Sequence, residues 1–157
     1  MNNLCGQDAT ILRNYRGAKI LLIEDNPDHQ RLIRSVLQSC MPGVELLTAA
    51  TVEEALSYLN ECMNVRPPLP RLILLDMYLP GREEGYALLQ QVKEPTSPFR
   101  LIPLTLLSQS GNPDDIQTAY QLGANSYIVK PVDYLQWLAY FESLQQYWLQ
   151  TVTLPHT

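Results

Sequence analysis

The sequence predicts an α/β fold: a doubly wound, five-stranded parallel sheet with helices on both faces. Three observations point to it. Short leucine-rich and β-branched runs alternate five times with longer stretches of helical period. The runs are apolar throughout, like strands buried on both faces. Their carboxyl ends carry acids, a serine and a lysine, and parallel sheets build their sites at those ends.

The expected strands lie at about 18–23, 44–49, 71–75, 101–107 and 126–129. The first helix runs from Pro27 to Cys40, with Leu32, Ile33, Val36 and Leu37 on one face. Its start, Asp25-Asn26-Pro27-Asp28, combines capping residues with a proline tolerated in the first turn. Thr51 and Glu54 form a capping-box pattern that opens the second helix, followed by Ala55, Leu56 and Leu59 on its buried side. The third helix is short, Gly85 to Lys93. Asn112-Pro113 opens the fourth and Gly123 closes it. Asp133 caps a fifth that runs to about Leu149. Right-handed crossovers between these elements give a parallel sheet with helices on both faces. The Arg66–Pro70 stretch is a stiff connector rather than a boundary. Residues 1–17 read as an N-terminal extension, 18–149 as one domain and 150–157 as a C-terminal tail.

Composition limits the function. Hydrophobic residues make up 46% of the 157, enough for a core, and the net charge is -5. An acidic chain lacks the basic patch that drives nucleic-acid binding. No apolar run approaches the roughly 20 residues needed to span a bilayer. The N-terminus lacks the layout of a signal peptide, so the expected compartment is the cytoplasm. Cys5, Cys40 and Cys62 have no metal-ligand spacing and read as reduced thiols.

Asp76 ends the apolar run Arg71-Leu-Ile-Leu-Leu-Asp76, and Glu24-Asp25 end the first strand. Taken alone, the pair is a favourable helix N-terminus. Three acids converging at one sheet edge repel one another, and Mg²⁺ relieves this with its preference for hard oxygen ligands. Lys130, before Pro131, returns its ammonium to the same edge, toward Asp76. Ser108 ends the fourth strand, where a hydroxyl is ordinarily a turn former. His29 reads as an exposed residue of the first helix's opening turn, near the acidic pocket. His156 is at the terminus.

In this order and at these strand ends, the residues resemble the receiver domain of two-component response regulators, over roughly residues 18–149. The resemblance implies the CheY-like, flavodoxin-type (βα)5 fold. It implies Asp76 as phosphoacceptor and Asp25 as a direct Mg²⁺ ligand, with Glu24 acting directly or through water. Tyr78 offers its backbone carbonyl to the metal. Ser108 is the switch hydroxyl, Lys130 contacts the phosphoryl group, and Tyr127 is an aromatic switch, exposed before activation and buried after it. The implied phosphodonor is a sensor histidine kinase. Two departures stand out. The loop from Pro80 to Gly85 holds one residue more than the family pattern. Gln109 follows the switch hydroxyl where small residues are frequent; it either hinders access to Asp76 or positions an attacking water.

No output domain fits after residue 131, so the expected output is protein contact. The last helix carries Trp137, Phe141, Leu144 and Trp148 at helical spacing, with Tyr134, Tyr140 and Tyr147 nearby. The surplus of large residues predicts a homodimer interface involving Trp137, Tyr140, Phe141, Tyr147 and Trp148, built from the last two helices and the fifth strand. The segment Tyr147–Pro155 is similar to the tail of small regulators paired with cyanobacterial phytochromes, which implies a phytochrome-type kinase. Otherwise it is a frayed terminus. A phosphohydrolase forming an aspartyl phosphate is disfavoured, because Tyr78 stands where such enzymes carry a second aspartate. A flavodoxin-like nucleotide binder lacks its glycine-rich loop. The remaining alternative is a receiver-like interaction module that is never phosphorylated, and the intact acids, serine and lysine count against it.

Overall fold

The computed structural model describes residues 18–65 and 69–147. Strands β1 (Lys19–Ile23), β2 (Glu45–Ala49), β3 (Leu72–Asp76), β4 (Leu104–Ser108) and β5 (Ser126–Val129) form one sheet. Helices α1 (Pro27–Cys40), α2 (Val52–Val65), α3 (Arg82–Lys93), α4 (Pro113–Gln121) and α5 (Tyr134–Leu144) alternate with them. Every strand pair is parallel, in the order β2-β1-β3-β4-β5.

The side-chain period of two divides each strand between two cores. Leu21, Ile23, Ile73, Leu75, Leu104 and Leu106 face α2, α3 and α4, meeting Leu59, Leu88, Leu89 and Ala119. Ile20, Leu22, Leu72 and Leu74 face α1 and α5, meeting Ile33, Val36, Trp137 and Phe141. The order reverses between β1 and β3. This opens a crevice at their carboxyl ends, into which Glu24, Asp25 and Asp76 are delivered.

The caps follow the sequence signals. Asn26 Oδ1 accepts from the N–H of Asp28 at 2.9 Å, and Asp133 Oδ1 from that of Gln136 at 2.9 Å. Thr51 Oγ1 accepts from the Glu54 N–H, while Glu54 reaches back to the N–H of Ala50, one residue earlier than a standard box. Gly123 adopts φ 107°, the left-handed conformation that closes α4.

Three boundaries differ from expectation. β4 starts at Leu104, not 101. Successive turn bonds (Arg100 N–H to Ser97 O, Ile102 N–H to Phe99 O) hold the preceding chain out of the sheet, and Pro103 has no N–H to give it. α3 starts at Arg82, not Gly85, so the extra residue of the Pro80–Gly85 loop is taken up as helix. The α-helix α5 ends at Leu144, and its expected extension to Leu149 falls partly outside the described residues.

Candidate functional site

Lys130 organises the crevice. Its Nζ donates to Glu24 Oε2 at 2.8 Å and to Asp76 Oδ2 at 3.1 Å, and lies 3.1 Å from His29 Nδ1. Its N–H donates to the Ser108 carbonyl, which continues the β4–β5 ladder and aims the side chain across the sheet edge. The Asp76 side chain is 7% exposed; its Oδ1 accepts from the Tyr78 N–H at 3.1 Å. Glu24 is fully buried, and its Oε1 accepts from the Asn26 N–H at 3.1 Å. Burial pushes its carboxyl up to about 7, and the nearby Asp76 adds to this, against the pull of Lys130. Asp25 is exposed.

Glu24, Asp25 and Asp76 each present an oxygen, all within 4.8 Å of one another. This is the hard-oxygen donor set that a divalent cation takes. A cleft of about 190 Å³ opens over it, bordered by Asp25, His29, Asp76, Tyr78, Gln109 and Lys130. The phosphoacceptor candidate is therefore reachable although nearly buried.

Ser108 is fully buried. Its Oγ accepts from the Ser110 N–H at 3.0 Å, turned along the β4–α4 loop. Tyr127 is partly buried, neither exposed nor enclosed, and its phenol donates to the Ser110 carbonyl at 2.7 Å. The Ser110 hydroxyl donates to Asp115 Oδ2 at 2.6 Å, and Arg82 Nη1 pairs with Asp115 Oδ1 at 3.0 Å.

The sequence matches the response regulator receiver domain over residues 20–141. The chain belongs to the response regulator receiver family. Response regulator Rcp1 of Synechocystis is 32% identical over 137 residues, covering 87% of this chain and 92% of that protein. The Mn²⁺-bound structure of Rcp1 matches this receiver with a TM-score of 0.75 at 32% identity, over 88% of this chain and 99% of that one. The phosphorylated cyanobacterial phytochrome response regulator RcpA matches with a TM-score of 0.77 at 36% identity, over 88% and 99%. A response regulator in red light signalling of R. palustris matches with a TM-score of 0.80 at 25% identity, over 89% and 99%. This receiver is thus similar to phytochrome response regulators in sequence and fold.

Of the residues singled out from sequence, Glu24, Asp25, Asp76, Tyr78 and Lys130 come together at the cleft, and Ser108 and Tyr127 adjoin it through Ser110. The interface expectation needs correcting at two positions. Trp137 and Phe141 are buried in the α1/α5 core, their rings stacked 5.8 Å apart, because their spacing puts both on the sheet-facing stripe. Tyr140 and Tyr147 do face solvent; Trp148 lies outside the described residues. His29 is also corrected. It is partly buried against Lys130, and burial, then the ammonium, lowers its pKa. The missed signal was position: helical side chains lean toward the N-terminus, so His29 in the opening turn leans back over the end of β1. Among the described residues, no helix is long and apolar enough to cross a membrane.

Proposed function

We propose that this receiver accepts a phosphoryl group on Asp76 from a sensor histidine kinase of phytochrome type and signals by a conformational switch. The observation that carries this reading is the bridging of Asp76 and Glu24 by Lys130 beside Asp25, at an accessible cleft. A carboxylate oxygen of Asp76 attacks phosphorus, the phosphorus–nitrogen bond to the kinase histidine breaks, and the imidazole keeps the electron pair. Lys130 follows Asp76 and balances charge on the transferring oxygens.

The donor set suits Mg²⁺, held by Asp25, Asp76 and the Tyr78 carbonyl. Both Glu24 oxygens already accept hydrogen bonds, which favours its action through water. When bound, Mg²⁺ supplies positive charge opposite the phosphoryl oxygens. The Ser108 hydroxyl then leaves Ser110 for a phosphoryl oxygen, and Tyr127 is released with it. The chain acts as phosphoacceptor and signal rather than as a turnover enzyme.

Copies of the receiver pair through the exposed sides of α4, α5 and β5. Val132 is 96% exposed, Leu135 75% and Tyr140 42%, unusual for residues of this size and polarity.

The test is phosphoramidate with Mg²⁺, read by intact mass. One hydroxylamine-labile phosphoryl group, lost in both strong acid and alkali, is expected on the wild type and none on Asp76→Asn. No adduct on the wild type, or a persistent one on Asp76→Asn, rejects the assignment.

A further inference from the structure

We propose that His29 is a positioning residue for phosphoryl transfer, holding the Lys130 ammonium over Asp76 through Nδ1. The inference rests on the phosphoacceptor reading of Asp76 and adds a residue to it.

An ammonium has three N–H donors and no acceptor. Lys130 has three acceptors in range: Glu24 Oε2 at 2.8 Å, Asp76 Oδ2 at 3.1 Å and His29 Nδ1 at 3.1 Å. The lysine side chain is only 6% exposed, so water is a poor substitute for any of them. The three partners are not equivalent. Asp76 is the reacting group and changes its charge and shape on phosphorylation. Glu24 belongs to the carboxylate cluster that suits a cation. His29 stands outside that cluster and carries neither duty. It is the partner that neither reacts nor belongs to the carboxylate set.

The residue is itself held, through its backbone N–H, at the start of α1. The Asn26 side chain caps α1 and accepts from the His29 N–H at 3.4 Å. Glu24 Oε1 lies 3.7 Å from His29 Nδ1. An ammonium only donates, so Nδ1 accepts with its lone pair and the ring proton sits on Nε2. Without this tether the ammonium, on four rotatable bonds, is left with the reacting Asp76 and with Glu24 of the carboxylate cluster. With it, the ammonium stays aligned, the kind of preorganisation that contributes to rate rather than to binding.

The experiment uses phosphoramidate and Mg²⁺, so that kinase docking plays no part. His29→Leu fills the space without an acceptor, and His29→Asn keeps an oxygen near the Nδ1 position. Leu is expected to slow phosphorylation about three- to tenfold and Asn to restore most of the rate, with Mg²⁺ affinity within about twofold of wild type in both. In a Lys130→Met background, His29→Leu is expected to have no further effect, because the two residues act as one unit. A His29→Leu rate equal to wild type overturns the proposal, as does an equal slowing with or without Lys130. The wild type separates the two readings. If it gains no phosphoryl group, the phosphoacceptor assignment fails and takes this proposal with it. If it does and His29→Leu is silent, only the proposal fails.

Discussion

The Tyr127 phenol donates to the Ser110 backbone carbonyl at 2.7 Å, and the N–H of that same serine occupies the Ser108 hydroxyl at 3.0 Å. One residue therefore engages both switch candidates. The Ser110 hydroxyl is in turn held by Asp115, which is 5% exposed and paired with Arg82 across the gap between α3 and α4. In the proposed switch, Ser108 gives up this bond on turning to a phosphoryl oxygen, and a shift of Ser110 with it would load the Arg82–Asp115 pair.

Removing the outer tie should therefore favour the switched form. Arg82 is about half exposed, so solvent screening keeps its ion pair weak. Arg82→Ala is expected to tighten beryllofluoride binding about two- to fivefold, a shift of that size in the resting equilibrium. Fluorine NMR titration measures it; unchanged or weaker binding argues against a restraining role for the pair.

Much of this was legible in the sequence because parallel strands write it plainly. An apolar run such as Leu72–Leu75 needs no partner to be recognised, and Asp76 at its end announces an edge site. The capping signals at Asn26, Thr51 and Asp133 act within a few residues, so they too could be read. Contacts between distant elements could not. Nothing local links Lys130 to His29 or Arg82 to Asp115. The stripe at Trp137 and Phe141 was ambiguous for a related reason: helical spacing shows which residues share a face but not which way that face points. The start of β4 was misplaced because Leu101 and Ile102 look like strand, whereas the turn bonds and Lys93 hold that segment outside it.

The proposed pairing surface predicts a polar substitution that disrupts it. Leu135 is 75% exposed on α5, so Leu135→Glu removes apolar contact and adds a charge without disturbing the fold. Self-association is expected to weaken at least about tenfold, as when a central contact is lost. Leu101→Glu, 61% exposed at the opposite end of β4, is the control and should leave it unchanged. Sedimentation equilibrium distinguishes these; equal effects from both variants would place the contact elsewhere.

Lys93 predicts a pH dependence of stability. Its ammonium donates to the carbonyls of Ile102 at 2.6 Å and Arg100 at 3.0 Å, while burial lowers its pKa from 10.5 to about 8. Between those two values the unfolded chain binds more protons than the native one, so this group's contribution to stability rises with pH across that window. Below about 8 the burial penalty is present in full. Lys93→Met abolishes the titration and removes both hydrogen bonds, of which only the one to Ile102 is partly buried, while also relieving the burial penalty on the charge. Urea denaturation of both proteins from pH 7 to 11 should show the wild type gaining on the variant as pH rises above about 8. A flat difference would mean that the amine keeps its charge as readily in the fold as in water.

Gly85 and Gly81 flank one turn of α3 and should differ sharply in what they tolerate. A Cβ on Gly85 would lie 1.9 Å from the Met77 carbonyl oxygen, which is backbone and cannot rotate away. A Cβ on Gly81 would meet Glu84 Oε2 at 2.5 Å, the end of a flexible side chain, and the Gly81 backbone at φ -114° and ψ 169° suits any residue. Gly85→Ala therefore pushes α3 from the end of β3, at a cost of about 2–3 kcal/mol typical of overpacking. The strain falls on Met77, between Asp76 and Tyr78, so it should also slow Asp76 phosphorylation by phosphoramidate, even under conditions where the variant is fully folded. Gly81→Ala, at the N-cap of α3, should cost at most about 1 kcal/mol and leave the phosphorylation rate at the wild-type value. Denaturation midpoints together with phosphorylation rates test this. Equal behaviour of the two variants would mean that helix α3 shifts freely relative to the strand carrying Asp76, and that the close approach at Gly85 does not fix the site.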